Sequence, residues 1–265
     1  MVINKSLFSV LNNENYFSLE NQFEYMGVSQ FKAFEKCPAA AYAEIKGKYA
    51  REKTTALLVG SYVDAHFEGT LDIFKAQNPS LFKRDGGLKS DYVKAEEIIQ
   101  RVERDELFME YMSGEKQVIM TGEIEGVPIK IKIDSYHPDK MIVDLKIMKD
   151  FEPVYKPEQG RLSWVEAWEY DLQGAIYQEI VRQNTGKQLP FFLAAATKEK
   201  EPDIAIIEIP QEILDFELDR FKKKVQFFDA VKKGVFPPER CEHCDYCKST
   251  KVLKAPVRLE ELDFE

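Results

Sequence analysis

A chain of 265 residues can bury a core large enough to fold without staples, and 44% hydrophobic with 31% charged residues excludes disordered and fibrous classes. No apolar run reaches the length of a membrane span, and the N-terminus lacks a basic–apolar–small leader pattern, so we expect a cytoplasmic protein with no membrane partner. The net charge of −9 argues against a uniformly basic surface, although Lys222, Lys223 and Lys224, and then Lys248, Lys251, Lys254 and Arg258, form basic runs.

In chain order, residues 1–25 are Asn-rich and are expected to form a mobile arm ahead of a single domain spanning 1–265. Val28 to Lys46 reads as a helix, with Ser29 as N-cap and Pro38 as an interruption. Thr54 to Thr70 reads as a second helix with Ala56, Leu57, Val59 and Val63 as its apolar stripe, and Ser90 to Met112 as a third. The period then changes. Gln117 to Thr121, Val127 to Tyr136 and Met141 to Met148 read as strands, with a turn at His137–Lys140. Ser163 and Glu166 form a capping box that opens a helix with Val165, Trp168, Leu172, Ile176 and Ile180 inward, closed by Gly186. Pro190 to Thr197 and Ile204 to Ile209 read as strands, and Ile213 to Lys233 as a long amphipathic helix. From residue 248 the chain is a tail, whose acidic end Glu260–Glu265 is expected to be solvated. The order predicts an α+β fold with an αβββαβ core and further helices at both ends.

The chemistry concentrates on two strands. Asp144 and Lys146 are two apart and share a strand face, while Val143, Leu145 and Ile147 take the other. If the turn leaves three residues unpaired, Asp134 lies directly opposite Asp144; with two, the pair is diagonal. Two carboxylates that close repel unless a cation sits between them, and Mg²⁺ suits such hard oxygen ligands. The bland alternative is an exposed cross-strand ion pair. Glu115, just before the first strand, is a weaker candidate for another carboxylate.

Three of the four cysteines, Cys241, Cys244 and Cys247, fall within seven residues, and only Cys37 remains to complete a four-thiolate set. In a reducing compartment this reads as metal ligation before disulfides. Iron–sulfur, zinc and unligated thiols all remain open, and a bound group would tie the first helix to the chain end.

Several segments together resemble the PD-(D/E)xK nuclease superfamily, and within it RecB-like and RecE-like (exodeoxyribonuclease VIII-type) phage exonucleases. They are MGVSQFKAFEKCPAAAYAEIKG, LLVGSYVDAHFEG, KIKIDSYHP, MIVDLKIMKD and YDLQGAIY, spanning roughly residues 26–250. The resemblance implies a restriction-endonuclease-like core and a deoxyribonuclease needing Mg²⁺ or Mn²⁺. Its ligands would be His66, Asp134, Asp144 and the main-chain carbonyl of Leu145; Lys146 would be the catalytic lysine; Gln173 and Tyr177 would contact the active centre or DNA. It further implies resection of one strand of duplex DNA ends for recombination, a phage single-strand annealing partner and a homo-oligomeric ring. The cysteine arrangement is similar to that of an AddB-like or CRISPR-associated subgroup holding a 4Fe–4S cluster, which makes a single-strand nuclease the alternative. A non-catalytic DNA-binding module of the same fold is the second alternative.

Overall fold

The computed structural model describes residues 11–52, 54–157, 159–256 and 258; the expectations for residues 1–10 and for Glu260–Glu265 lie outside them. Residues 11–25 are not a loose arm: Tyr16 is buried, and Ser18 caps α1 (Leu19–Glu24) by accepting from the Asn21 N–H at 3.2 Å. The first expected helix is two, α2 (Val28–Lys36) and α3 (Pro38–Ile45). Pro38 forces Cys37 out of helical geometry and itself starts α3. Then come α4 (Thr55–Phe67), α5 (Leu71–Gln77), α6 (Ser90–Glu103) and α7 (Glu106–Tyr111). The expected helix over 90–112 breaks because the Asp105 carboxylate caps a new start at the Phe108 N–H, 2.9 Å away. The stripe of α4 is Val59, Tyr62 and Val63; Leu57 points outward and is 62% exposed, contrary to expectation.

Strands β1 (Glu115–Ile124), β2 (Val127–His137) and β3 (Met141–Met148) follow, then a small hairpin, β4 (Val154–Lys156) and β5 (Gly160–Leu162), that the pattern did not reveal. The capping box starts α8 (Trp164–Ala167), and Glu169, at φ 54°, turns the chain into α9 (Tyr170–Thr185). That break leaves Trp168 half exposed, while Leu172, Ile176 and Ile180 are fully inward. The chain ends with β6 (Phe191–Thr197), β7 (Ile204–Glu208), α10 (Gln211–Lys232) and α11 (Asp245–Ser249).

The sheet runs β1-β2-β3-β6-β7, antiparallel except for the parallel β3–β6 pair, whose crossover carries α8 and α9. One face packs Ile129, Ile131 and Ile133 against α2, α9 and α10; the other packs Val143, Leu145, Ala194 and Ala196 against α4, α6 and α7. The expected α+β order is present. Gly174 decides how closely α9 lies on β6, since a Cβ there would come within 2.5 Å of the Phe191 ring.

Candidate active site

The β2–β3 ladder is paired from His137↔Met141 to Ser135↔Val143 and goes no further. The turn thus leaves three residues unpaired, and continuing its register sets Asp134 directly opposite Asp144. Where the ladder ends, the Asp134 carboxylate substitutes for a strand carbonyl: its Oδ2 accepts from the Leu145 N–H at 3.0 Å. Across β1, Gln117 faces Asp134 and donates to its Oδ1 at 3.2 Å. Gln117 has φ 54°, and Ile133 and Tyr136 reach the same core although three residues apart, so the β1–β2 ribbon is kinked around Asp134.

Asp144 is 2% exposed, and its Oδ1 accepts from Gln173 Nε2 at 2.6 Å. The Lys146 ammonium is ion-paired with Asp144 Oδ2 and lies 4.9 Å from the centre of the Tyr170 ring. Tyr177, one turn after Gln173, gives its hydroxyl to the Lys132 carbonyl at 2.9 Å. It braces β2 as well as lining the site.

Asp134, Asp144, Lys146, Gln173 and Tyr177, together with Leu145, line a cavity of about 780 Å³. His66 is not brought into it. Its ring turns to Glu103, 2.8 Å away, and packs edge-on against Phe67. Two residues along a helix is about 200° of rotation, so Asp64, two residues before His66, faces the opposite way and lines the cavity. Glu68, one turn on from Asp64, lines it too; Glu115 does not. The signal missed was a pair of acids four residues apart, Asp64 within α4 and Glu68 at its C-cap. Gln117 carried no signal, because only the kink in β1 turns it toward Asp134.

The carboxylates of Asp64, Asp134 and Asp144 converge here, with the Lys146 ammonium paired to Asp144 and Lys130 and Lys132 also lining the cavity. Burial, and then Asp134, push the Asp64 carboxyl well above the ordinary carboxylate range. At Asp144 burial raises the pKa, Lys146 opposes and Asp134 adds, leaving it pushed up to about 7. Burial disfavours the Lys146 ammonium, but Asp144 and Asp134 outweigh it and hold its pKa above the usual lysine value. The Oε1 atom of Gln117 is buried with no hydrogen-bond donor. An all-oxygen donor set of clustered carboxylates with an unsatisfied carbonyl fits a hard divalent cation such as Mg²⁺ or Mn²⁺.

A second cluster lies apart from this cavity. Cys37, Cys241, Cys244 and Cys247 bring their four Sγ atoms within 4.8 Å of one another, with none in a disulfide. Cys37 Sγ is 3.6 Å, and Cys241 Sγ 3.9 Å, from Cys247 Sγ. The N–H groups of Ala40, Cys244 and Cys247 point at the sulfurs of Cys37, Cys241 and Cys244 at 3.4–3.5 Å. Burial works against the Cys241 thiolate, but backbone N–H groups from His243 and Cys244 outweigh it and bring the thiol down to about 6. Burial and the neighbouring thiols push Cys244 up to about 12. The four sulfurs do not ionise together without a cation among them.

A crystal structure of a protein from Eubacterium rectale, described as "Putative exonuclease", superposes with a TM-score of 0.94 at 48% sequence identity, covering 97% of this chain and 99% of that one. No match is found among curated proteins. Among the described residues no helix is long and apolar enough to cross a membrane. The family profile described as a "PDDEXK-like domain of unknown function (DUF3799)" matches residues 27–250, so the chain belongs to that PDDEXK-like family and its five-stranded α+β core is a restriction-endonuclease-like fold.

Proposed function

We propose that the protein is a metal-dependent deoxyribonuclease that resects one strand of duplex DNA from an end, in the service of recombination. The observation that carries it is the meeting of Asp64, Asp134, Asp144 and Lys146 in one cavity. Asp64, Asp134, Asp144 and the Leu145 carbonyl would hold Mg²⁺ or Mn²⁺. Such an ion, when bound, polarises a phosphodiester and lowers the pKa of coordinated water. Lys146, held charged by its carboxylate neighbours, offsets negative charge developing on the phosphate. Gln173 holds the Asp144 carboxylate through Oδ1, Gln117 and the Leu145 N–H hold that of Asp134, and Tyr177 fixes the β2 backbone beneath both.

Action at ends is supported by the name carried by the Eubacterium rectale relative. Linear duplex incubated with Mg²⁺ or Mn²⁺ should shorten progressively, covalently closed circles should survive, and EDTA should stop the reaction. Rapid cutting of closed circles would rule out an obligate end-dependent enzyme. The same reading includes a single-strand annealing protein that takes up the exposed strand, and a homo-oligomeric ring that keeps hold of the duplex. Light scattering tests the ring, and a monomer preferring single-stranded ends would favour the CRISPR-associated type of nuclease instead.

Metal binding should depend on pH in a defined direction. A carboxyl raised to about 7 keeps its proton in the folded protein where the unfolded chain has lost it. The metal-free fold therefore loses stability as pH rises from about 4 toward 7. A divalent cation needs the ionised form, so Mn²⁺ should raise the melting temperature more at pH 8 than at pH 6. Equal shifts at both pH values, by differential scanning fluorimetry, would contradict the assignment of Asp144 as a ligand.

At the cysteines we propose a structural metal. A tetrahedral ion with metal–sulfur bonds of about 2.3 Å spaces its sulfurs about 3.8 Å apart. The separations of 3.6 and 3.9 Å support a single ion such as zinc over a 4Fe–4S cube, whose thiolates stand further apart. Metal and sulfide analysis of anaerobically purified protein discriminates the two.

A further inference from the structure

We infer that Phe17 and Lys132 form a stacking site for an unpaired nucleobase beside the catalytic cavity, a reading that rests on the nuclease assignment and specifies its substrate. Lys130, Lys132 and Asp134 alternate along β2, and all three line the cavity. A strand advances about 3.3 Å per residue, so Lys132 precedes Asp134 by roughly 6.6 Å. Over this row lies the segment entering α1. Tyr16 is its anchor: it is 8% exposed, its ring centre is 4.5 Å from Lys130 Nζ, and its carbonyl accepts from the Lys130 ammonium. Phe17 stands edge-on to Tyr16, with ring centres 4.9 Å apart and an interplanar angle of 81°. The ring packs against Tyr16, yet the residue is 65% exposed while lining the cavity.

Lys132 Nζ lies 5.2 Å from the Phe17 ring centre and 5.6 Å from that of Tyr16. Burial raises the Glu68 pKa and the nearby Lys132 ammonium opposes that rise, so Glu68 is a carboxylate within Coulomb reach of Lys132. An aromatic ring with an ammonium over one face and most of its surface exposed, a short step from the carboxylates, is complementary to one nucleotide: base on the exposed side of Phe17, phosphate on Lys132. A base within a duplex has both faces covered by its neighbours. Only a terminal or single-stranded base has a face to offer. The ligand is therefore a polynucleotide strand whose base next to the reacting phosphodiester is terminal or unpaired, which an end supplies and a closed duplex does not.

The test uses the full-length protein carrying Lys146→Ala, so that DNA is held but not cut, and a duplex whose single-stranded extensions carry 2-aminopurine. With Phe17 in place, binding should quench 2-aminopurine fluorescence. Phe17→Ala and Phe17→Leu should both remove the quench and weaken binding between about 5-fold and 150-fold. Phe17→Trp should retain both. Replacing the contacted base by an abasic site should erase the difference in affinity that Phe17→Ala makes on intact DNA. Binding by Phe17→Ala within twofold of the protein with Phe17, or an equal loss on abasic DNA, would overturn the stacking site. Cleavage by the protein with Lys146 intact is followed in parallel. If it cuts DNA while Phe17→Ala changes nothing, the stacking site alone is wrong; if it neither cuts nor binds, both readings fall.

Discussion

Lys146→Ala should lower the cleavage rate on the order of 10³-fold while leaving the fold intact. The ammonium is the cation paired with the nearly fully buried Asp144 and within Coulomb reach of Asp134. In such surroundings a single preorganised donor contributes about 10²–10³ in rate. Its removal also leaves two carboxylates facing each other, which should weaken metal-free stability at neutral pH most of all. The loss should fall on kcat more than on KM, because DNA contacts elsewhere persist. Two companion variants locate the ligand set on α4. Asp64→Asn should approach the defect of Asp144→Asn, whereas His66→Ala should stay within about threefold of the parent, since its ring is engaged with Glu103 outside the cavity. A severe His66 defect with a normal Asp64 variant would reverse the assignment.

Replacing Cys37 or Cys247 by Ser should release the second metal and destabilise the protein by on the order of 4 kcal/mol. For a chain of this size that corresponds to a melting temperature about 8–16 °C lower. Cys37 sits at the break between α2 and α3, and Cys247 sits in α11, which otherwise packs only lightly on the core. The main core is built elsewhere, from the sheet with α2, α9 and α10, so the variants should still fold in the cold and retain cleavage there. Inductively coupled plasma mass spectrometry, read beside calorimetry, separates the outcomes. Loss of metal with an unchanged melting temperature would show that the site does not brace the fold. A parent protein free of zinc and iron would remove it altogether.

The acidic pair, its lysine and the αβββαβ order were legible in the amino-acid sequence because they are local. Strand alternation placed Asp144 and Lys146 on one face, and a short turn left only two possible registers for Asp134. The three-residue turn selected the direct one. The breaks were less legible where they depend on capping and backbone competition: Asp105 splits α6 from α7, and Glu169 in a left-handed conformation splits α8 from α9.

Which residues of α4 and β1 reach the site was decided by tertiary structure. The segment LLVGSYVDAHFEG marks that helix by resemblance but does not say which of its faces meets the sheet. Packing of Val59, Tyr62 and Val63 rotates Asp64 inward and His66 outward. Likewise, nothing local to Gln117 or Phe17 announces a role. One depends on a kink in a strand about seventeen residues before Asp134, the other on Tyr16 docking over Lys130. A side-chain period of 2.0 or 3.6 reports which residues share a face, and only the assembled layers determine what that face meets.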